Sequence, residues 1–226
     1  MKTDANRTNF FSALRQWCGV TFAILSLAGC AGTERVLVPS DLVLKSYGTI
    51  GIIDFTSNAD PSIERYATQL FQEDTQSAQP GVPILKLGTK QEVLSAIGAN
   101  EINTQTISKI GEVYKVDAVF IGDLTYSDVR TDFDISQVLD LKATVKKIIH
   151  ADLAIRLDLV KSGATVWSNS ASFKRTFSKM QFSKDSIPTI KQDRDEYEAR
   201  RKILPDMTYE ITSGFRGRYI KQRIPK

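Results

Sequence analysis

The chain has 226 residues, with 30 Lys plus Arg against 26 Asp plus Glu, one histidine and two cysteines. A formal charge of +4 on this length makes no case for nucleic acid binding. One histidine leaves no partner for a His-based metal centre.

The first thirty residues read in three parts. Lys2, Arg7 and Arg15 stand against Asp4, an apolar run extends from Trp17 to Leu27, and Leu27-Ala28-Gly29-Cys30 follows. The apolar run is shorter than the roughly 20 residues a spanning helix needs, so it reads as a signal peptide. Its last four residues resemble a bacterial lipobox, cleaved before an acylated cysteine. The small Ala28 and Gly29 suit a narrow cleavage site, and Cys30 supplies the thiol. The next residue is Ala31 rather than Asp, which by the same resemblance implies sorting to the outer membrane, with the domain facing the periplasm. Cleavage leaves 197 residues with a formal charge of +2, one good-sized domain in length. Cys18 leaves with the signal and Cys30 carries lipid, so the mature domain has no disulfide and holds together by burial alone.

Residues 30–47 read as a lipidated N-terminus and short tether containing Val36-Leu37-Val38. As a coil, residues 31–46 span roughly 22 Å r.m.s. and at most about 55 Å. A single domain over 48–226 follows. Gly48 to Phe55 reads as a buried strand, and Asn58-Ala59-Asp60-Pro61 supplies a cap and an N1 proline. Ile63, Tyr66, Ala67, Leu70 and Phe71 fall at helical spacing. Val82–Leu87 is a second strand, and Thr89 caps a helix carrying Val93, Leu94 and Ile97. Asn103–Tyr114 repeats the helical period, and Asp117–Gly122 is a third buried strand, with Gly122 placed where the chain must turn. The order β-α-β-α-α-β predicts an α/β sheet with helical crossovers.

From Leu139 to Leu159 the odd positions are almost all apolar, whereas Asp140, Lys142, Lys146, His150, Asp152, Arg156 and Asp158 hold even ones. That is the period of a long half-exposed strand. Lys161-Ser162-Gly163 turns the chain, and residues 164–177 return with Val166, Trp167, Ala171 and Phe173, completing a long β-hairpin. Trp167 reads as a core anchor. A C-terminal helix from about residue 189, charged over 193–202, is predicted to break at Pro205. Met207, Ile211, Phe215 and Tyr219 then fall four apart on one face, and the helix ends in a basic tail with Arg216, Arg218, Lys221, Arg223 and Lys226. That tail reads either as a helix end or as a contact for lipid phosphates or an acidic partner.

Several of these segments together resemble the family of CsgG, the curli secretion lipoprotein, and of its relative LpoB, the penicillin-binding protein activator. Both share a fold similar to the N-terminal domain of TolB. The matching stretches are the lipobox, Ile50–Phe55, residues 107–122 ending in Asp117-Ala118-Val119-Phe120-Ile121-Gly122, and residues 157–167 ending in Trp167. The resemblance covers most of residues 48–170 and implies a mixed sheet with flanking helices; the C-terminal helix lies outside it.

No catalytic constellation emerges. His150 is alone on the polar face of the long strand, and neither a Gly-x-Ser-x-Gly elbow nor a phosphate loop occurs. Asp123, Asp128, Asp132 and Asp134, beside Tyr126 and Arg130, form the best acidic cluster. It lacks the glycine and distal glutamate of an EF-hand and reads as a solvated loop. The expectation is a protein without enzyme activity, cofactor, metal or small-molecule substrate. Three roles remain to be weighed. One is an oligomerising subunit of an envelope secretion or surface-assembly machine, whose 138–182 region forms a sheet edge or ring contact. Another is a regulatory module activating a cell-wall enzyme, which needs a longer linker than this one. The weakest is an enzyme using the Asp123–Asp134 loop. A membrane-spanning hairpin is disfavoured, because Lys147 interrupts the apolar face and the return strand carries Ser168, Asn169, Ser170, Lys174 and Arg175.

Overall fold

A computed structural model of the chain describes residues 33–40, 42–137, 142–182 and 192–223. The signal segment 1–29 and Cys30 lie outside the described residues. The chain divides into two compact units, one spanning residues 40–217 and the other joining the residues up to Pro39 to those from Arg218 onward.

The larger unit is a mixed α/β structure, an open seven-stranded sheet with helices on both faces. After a short 3-10 turn at Leu44–Tyr47 come β2 (Ile50–Ile53), β3 (Thr56–Ser57), α1 (Pro61–Ala78), β4 (Ile84–Gly88), α2 (Lys90–Ile97) and α3 (Thr104–Tyr114). Then follow β5 (Ala118–Tyr126), β6 (Arg130–Gln137), β7 (Lys142–Leu159), β8 (Thr165–Phe182) and α4 (Gln192–Thr212). β2 runs parallel to both β4 and β5, as helical crossovers require. β7 is antiparallel to β5 through its C-terminal half and to β6 through its N-terminal half, while β8 pairs along its other side.

Local chemistry accounts for the helix starts. Asp60 accepts a hydrogen bond from the Ser62 amide, with Pro61 at the first helical position. Thr89 and Glu92 form a reciprocal capping box on α2, and Asn103 with Thr106 forms another on α3.

One face of the sheet is covered by α1 and α4. There Phe55, Phe71, Phe120 and Phe215 are buried, with rings 5.0 to 6.5 Å apart, and Trp167 packs 4.7 Å from Phe215. Trp167 is thus the core anchor expected of it. The odd residues Ile149 to Leu157 of β7 join this core, as the alternation predicts. On the other face, α2 and α3 cover Ile53, Leu87, Val119 and Ile121 through Val93, Ile107 and Ile110.

Four local expectations are corrected. Gly122 makes no turn: it lies within β5, and a Cβ there would sit 2.4 Å from Phe55 Cδ1, so its missing side chain makes room for that ring. Gly163 does turn the hairpin, at φ +65°. Pro205 does not break the C-terminal helix, which runs from Gln192 to Thr212 through it. Proline removes a ladder donor, and the carbonyls near the gap find partners on the sheet: Tyr126 Oη donates to Arg200 O at 3.0 Å and Arg175 Nη1 to Lys202 O at 2.9 Å. Residues 130–137, read as loop, form β6, with Asp132 opposite Lys146 and Phe133 opposite Val145. Met207, Ile211 and Phe215 share the buried face as expected, whereas Tyr219 belongs to a strand.

The smaller unit is a two-stranded antiparallel ribbon of β1 (Thr33–Val38) and β9 (Arg218–Arg223). Residues 33–38, expected to be coil, are a strand, and the basic tail is its partner. The cause is pairing across nearly the whole chain, with Leu37 opposite Tyr219 and Val36 opposite Ile220.

Candidate functional site

Two places on the larger unit are built to receive something. The first is a crevice of about 670 Å³ at the carboxyl ends of β2 and β4, lined by Asp54, Thr56, Glu64, Thr89, Lys90 and Asn100 among others. The chain leaves β2 toward one face of the sheet and β4 toward the other, the arrangement in which open α/β sheets bind ligands. Much of the chemistry there is already engaged. Asp54, 6% exposed, has the Lys86 ammonium 3.0 Å from Oδ1, an ion pair only, since that buried oxygen has no hydrogen-bond partner among the described residues. Hydrogen bonds from Ser62 hold the Asp60 carboxyl below its ordinary range, and bonds from Thr89 do the same for Glu92. Glu64 Oε1 accepts from the Ser57 amide at 2.9 Å. Both helix N-termini that would attract an anion are therefore occupied by carboxylates of the chain itself.

The second place is the uncovered part of the sheet. α2 and α3 stop short of β7 and β8, leaving Asp123, Ala154, Arg156, Ser168 and Ser170 around a shallow concavity of about 430 Å³. Ala154, Ser168 and Ser170 are exposed and small, which is why the surface is concave. Two residues on from Arg156, Asp158, 4% exposed, accepts from Arg156 Nε at 2.9 Å and from Thr165 Oγ1 at 2.6 Å. Two residues before Ala154, Asp152 accepts from Ser172. Beside this surface, β8 forms an edge. Over Thr165–Phe182 it pairs with β7, and among the described residues no strand pairs with its outer side. Thr165 to Ser172 carries no charge, whereas Lys174 and Arg175 follow at once. An uncharged stretch of edge is a template for another strand, and Lys or Arg is what blunts one.

The acidic cluster does not come together. Asp123 on β5 accepts from Thr56, Asp128 lies exposed between β5 and β6, and Asp132 and Asp134 belong to β6. Tyr126 is buried, its ring 5.3 Å beneath the Arg200 guanidinium, and burial pushes its phenol well above the usual value. Arg130 is exposed on β6. His150 lies opposite Lys174, and its backbone closes on Ser127 at both N–H and C=O. Among the described residues no group of three or more His, Cys, Asp or Glu is placed to hold a metal. Arg216 pairs with Asp74 at 3.7 Å and stacks on Tyr209 at 4.5 Å.

Sequence reasoning missed two side-chain amides that act as backbone. Asn58 donates to Tyr126 O at 2.8 Å and accepts from Tyr126 N at 2.9 Å, extending the ladder at the end of β5. Gln79 accepts from Leu44 N at 2.8 Å and donates to Phe215 O at 3.1 Å. An amide carries donor and acceptor together, but no local pattern marks which one is used in this way.

The larger unit thus defines a mixed α/β protein with an open sheet, in which, among the described residues, half of one face carries no helix and the outer edge of β8 pairs with no strand. No protein-family model and no curated protein matches the chain. Among solved structures it is similar to the PelC dodecamer from Paraburkholderia phytofirmans, at 11% identity over 83% of this chain and 99% of that one, with a TM-score of 0.40. It is also similar to a putative neuraminyllactose-binding hemagglutinin homolog from Helicobacter pylori (14% identity, 77% and 84% covered, TM-score 0.42). The C-terminal domain of LpoB from Salmonella enterica is matched at 11% identity, with 60% and 84% covered and a TM-score of 0.34. Likeness at this level transfers neither a site nor a partner.

Proposed function

We propose that this chain is a lipid-anchored protein of the bacterial cell envelope that works without catalysis, as an assembling subunit of a secretion or surface-assembly machine. The observation that carries this reading is the edge of β8: a long strand whose first eight residues are uncharged, beside a shallow face of small polar side chains. Such an edge recruits a partner strand through main-chain hydrogen bonds, and the concavity accepts a side chain from it. β4, with Leu85 44% exposed, is the opposite edge of the same sheet. Pairing of β8 with β4 of a neighbour is heterologous and closes a ring or propagates, whereas β8 with β8 gives a dimer. The helix N-termini beside the crevice are capped by the chain's own carboxylates, which supports a role other than anion-binding catalysis.

Cys30, within Leu27-Ala28-Gly29-Cys30, is the proposed acylation site, and Ala31 favours the outer membrane, with the domain in the periplasm. β1 begins three residues after Cys30, a reach of about 10 Å at most. That reach suits a subunit working at its membrane, and disfavours an activator that must reach an enzyme far away. The resemblance of residues 48–170 to the CsgG and LpoB family supports the envelope setting.

Two measurements test the reading. Mass spectrometry of the protein from the producing cell should find a diacylglyceryl modification on Cys30, absent in Cys30→Ser. Analytical ultracentrifugation of residues 30–226 with Cys30→Ser should show concentration-dependent assembly, abolished by Ser168→Lys with Ser170→Lys. A strict monomer at high concentration would refute the assembly role.

A further inference from the structure

The β1–β9 ribbon has no place in the assembly proposed above. Directly paired residues share a face, so Arg35 and Lys221 stand side by side, and so do Leu37 and Tyr219. All four are exposed, Leu37 by 54% and Tyr219 by 70%. Like charges directly opposite one another destabilise a ribbon unless an anion lies between them. The two strands hold Arg35, Arg218, Lys221 and Arg223 against Glu34 alone, so the ribbon's charge suits an anionic surface. Tyrosine and leucine beside cations are what a headgroup layer accepts: the ring and alkyl group reach the acyl boundary while the cations hold phosphate.

We propose that this ribbon is a second membrane contact, a patch that lies on anionic phospholipid headgroups and seats the chain beside its anchor. The proposal rests on the reading of Cys30 only for placement, since the ribbon begins within about 10 Å of that residue. Its chemistry belongs to the face that holds Arg35, Leu37, Tyr219 and Lys221, with Arg223 on the same face by register. A polybasic contact of this kind adds about fivefold to binding per cation, ~1 kcal/mol each, and weakens as salt screens it.

The test uses residues 30–226 with Cys30→Ser, which keeps every described residue and removes the lipid. Binding is measured by co-sedimentation with phosphatidylcholine vesicles containing increasing fractions of phosphatidylglycerol. The expected result is binding that rises with phosphatidylglycerol and falls with salt. Arg35→Gln, Lys221→Gln and Arg223→Gln together, all on one face by register, should weaken it roughly a hundredfold. Arg35→Lys with Arg223→Lys should retain it, and Leu37→Ser with Tyr219→Ser should weaken it at every salt concentration. Unchanged urea midpoints establish that the variants remain folded. Binding that ignores phosphatidylglycerol, or a triple variant that binds as the parent does, overturns the proposal. So does a triple variant that alters self-association without altering vesicle binding, which would assign the ribbon to a second copy. Acylated Cys30 in cells together with no vesicle binding sinks the ribbon alone; vesicle binding with an unmodified Cys30 sinks the anchor alone.

Discussion

Gly122→Ala tests the packing of the sheet core most directly. The new methyl would lie 2.4 Å from Phe55 Cδ1 and 2.6 Å from Cε1, well inside contact distance. Phe55 is 1% exposed and its ring is 5.5 Å from that of Phe71, so it has little room to retreat. Overpacking of this kind costs about 1–3 kcal/mol, and removing a glycine from a strand returns about 0.5–1. The net loss should be about 0–2.5 kcal/mol, a fall in Tm of up to roughly 10 °C for a domain of this size. Phe55→Ala alone should cost about 3–5 kcal/mol by leaving a cavity. In the double variant the methyl enters that cavity, so the combined loss should fall short of the sum by at least about 1 kcal/mol. Trp167, the one tryptophan after residue 29, lies 6.1 Å from the Phe120 ring and reports the core by fluorescence during urea unfolding. Strict additivity of Gly122→Ala with Phe55→Ala would refute the close approach.

Three further outcomes follow from the same geometry. Tyr126→Phe removes the donor to Arg200 O and should cost about 0.5–1.5 kcal/mol, with hydrogen exchange quickening in α4 near Pro205 before it does elsewhere. Asn58→Ala deletes both bonds to the Tyr126 backbone, leaving an N–H and a C=O unpaired, and should lower stability by about 1–3 kcal/mol on urea titration. Asp60 and Glu92 have lowered carboxyl pKa values when folded, so their contribution is fully present above the ordinary carboxylate pKa and is lost as pH falls through the lowered one. Asp60→Asn with Glu92→Gln should therefore flatten the acid arm of a Tm-against-pH curve and leave its shape near neutrality unchanged.

Much of the fold was legible because burial writes a period into the chain. β7 alternates since α4 covers one face of it, and Ile149, Ala151, Leu153, Ile155 and Leu157 answer to that cover. Asp60 and Thr89 announced their helices by capping chemistry beside the helical spacing that follows, and residues 103–114 did so by their period. β6 was only partly legible: Phe133 and Ile135 alternate with Asp132 and Asp134, but four residues are too few to separate a strand from an acidic loop. The ribbon was not legible. Val36-Leu37-Val38 is too short to specify a strand by itself, and its partner lies nearly the whole chain away. Nor was the survival of α4 through Pro205, since the donors to the carbonyls flanking the gap, Arg200 O and Lys202 O, come from β5 and β8. The edge of β8 was readable only as composition, because whether a strand is central or terminal depends on what pairs with its other side.

The polar half of the β7 pattern bears on how assembly works. Had a helix covered the second face as α2 and α3 cover β5, the even positions would be apolar. Instead Asp152 and Ala154 are exposed, Arg156 is half-buried, and Ser168 and Ser170 continue the surface on β8. A partner seated there gains little from apolar burial, so its affinity must come largely from main-chain hydrogen bonds along the edge, each worth about 0.5–1.5 kcal/mol net. That is a weak contact for a protein free in solution. Confinement changes the balance: chains held on one surface by a short attachment meet at an effective concentration that short linkers raise to about the millimolar range. On the proposed reading, then, Cys30 and the β8 edge act together. The anchor supplies the concentration that a polar edge lacks, and the edge stays soluble before the chain reaches its membrane because its own surface is too polar to aggregate.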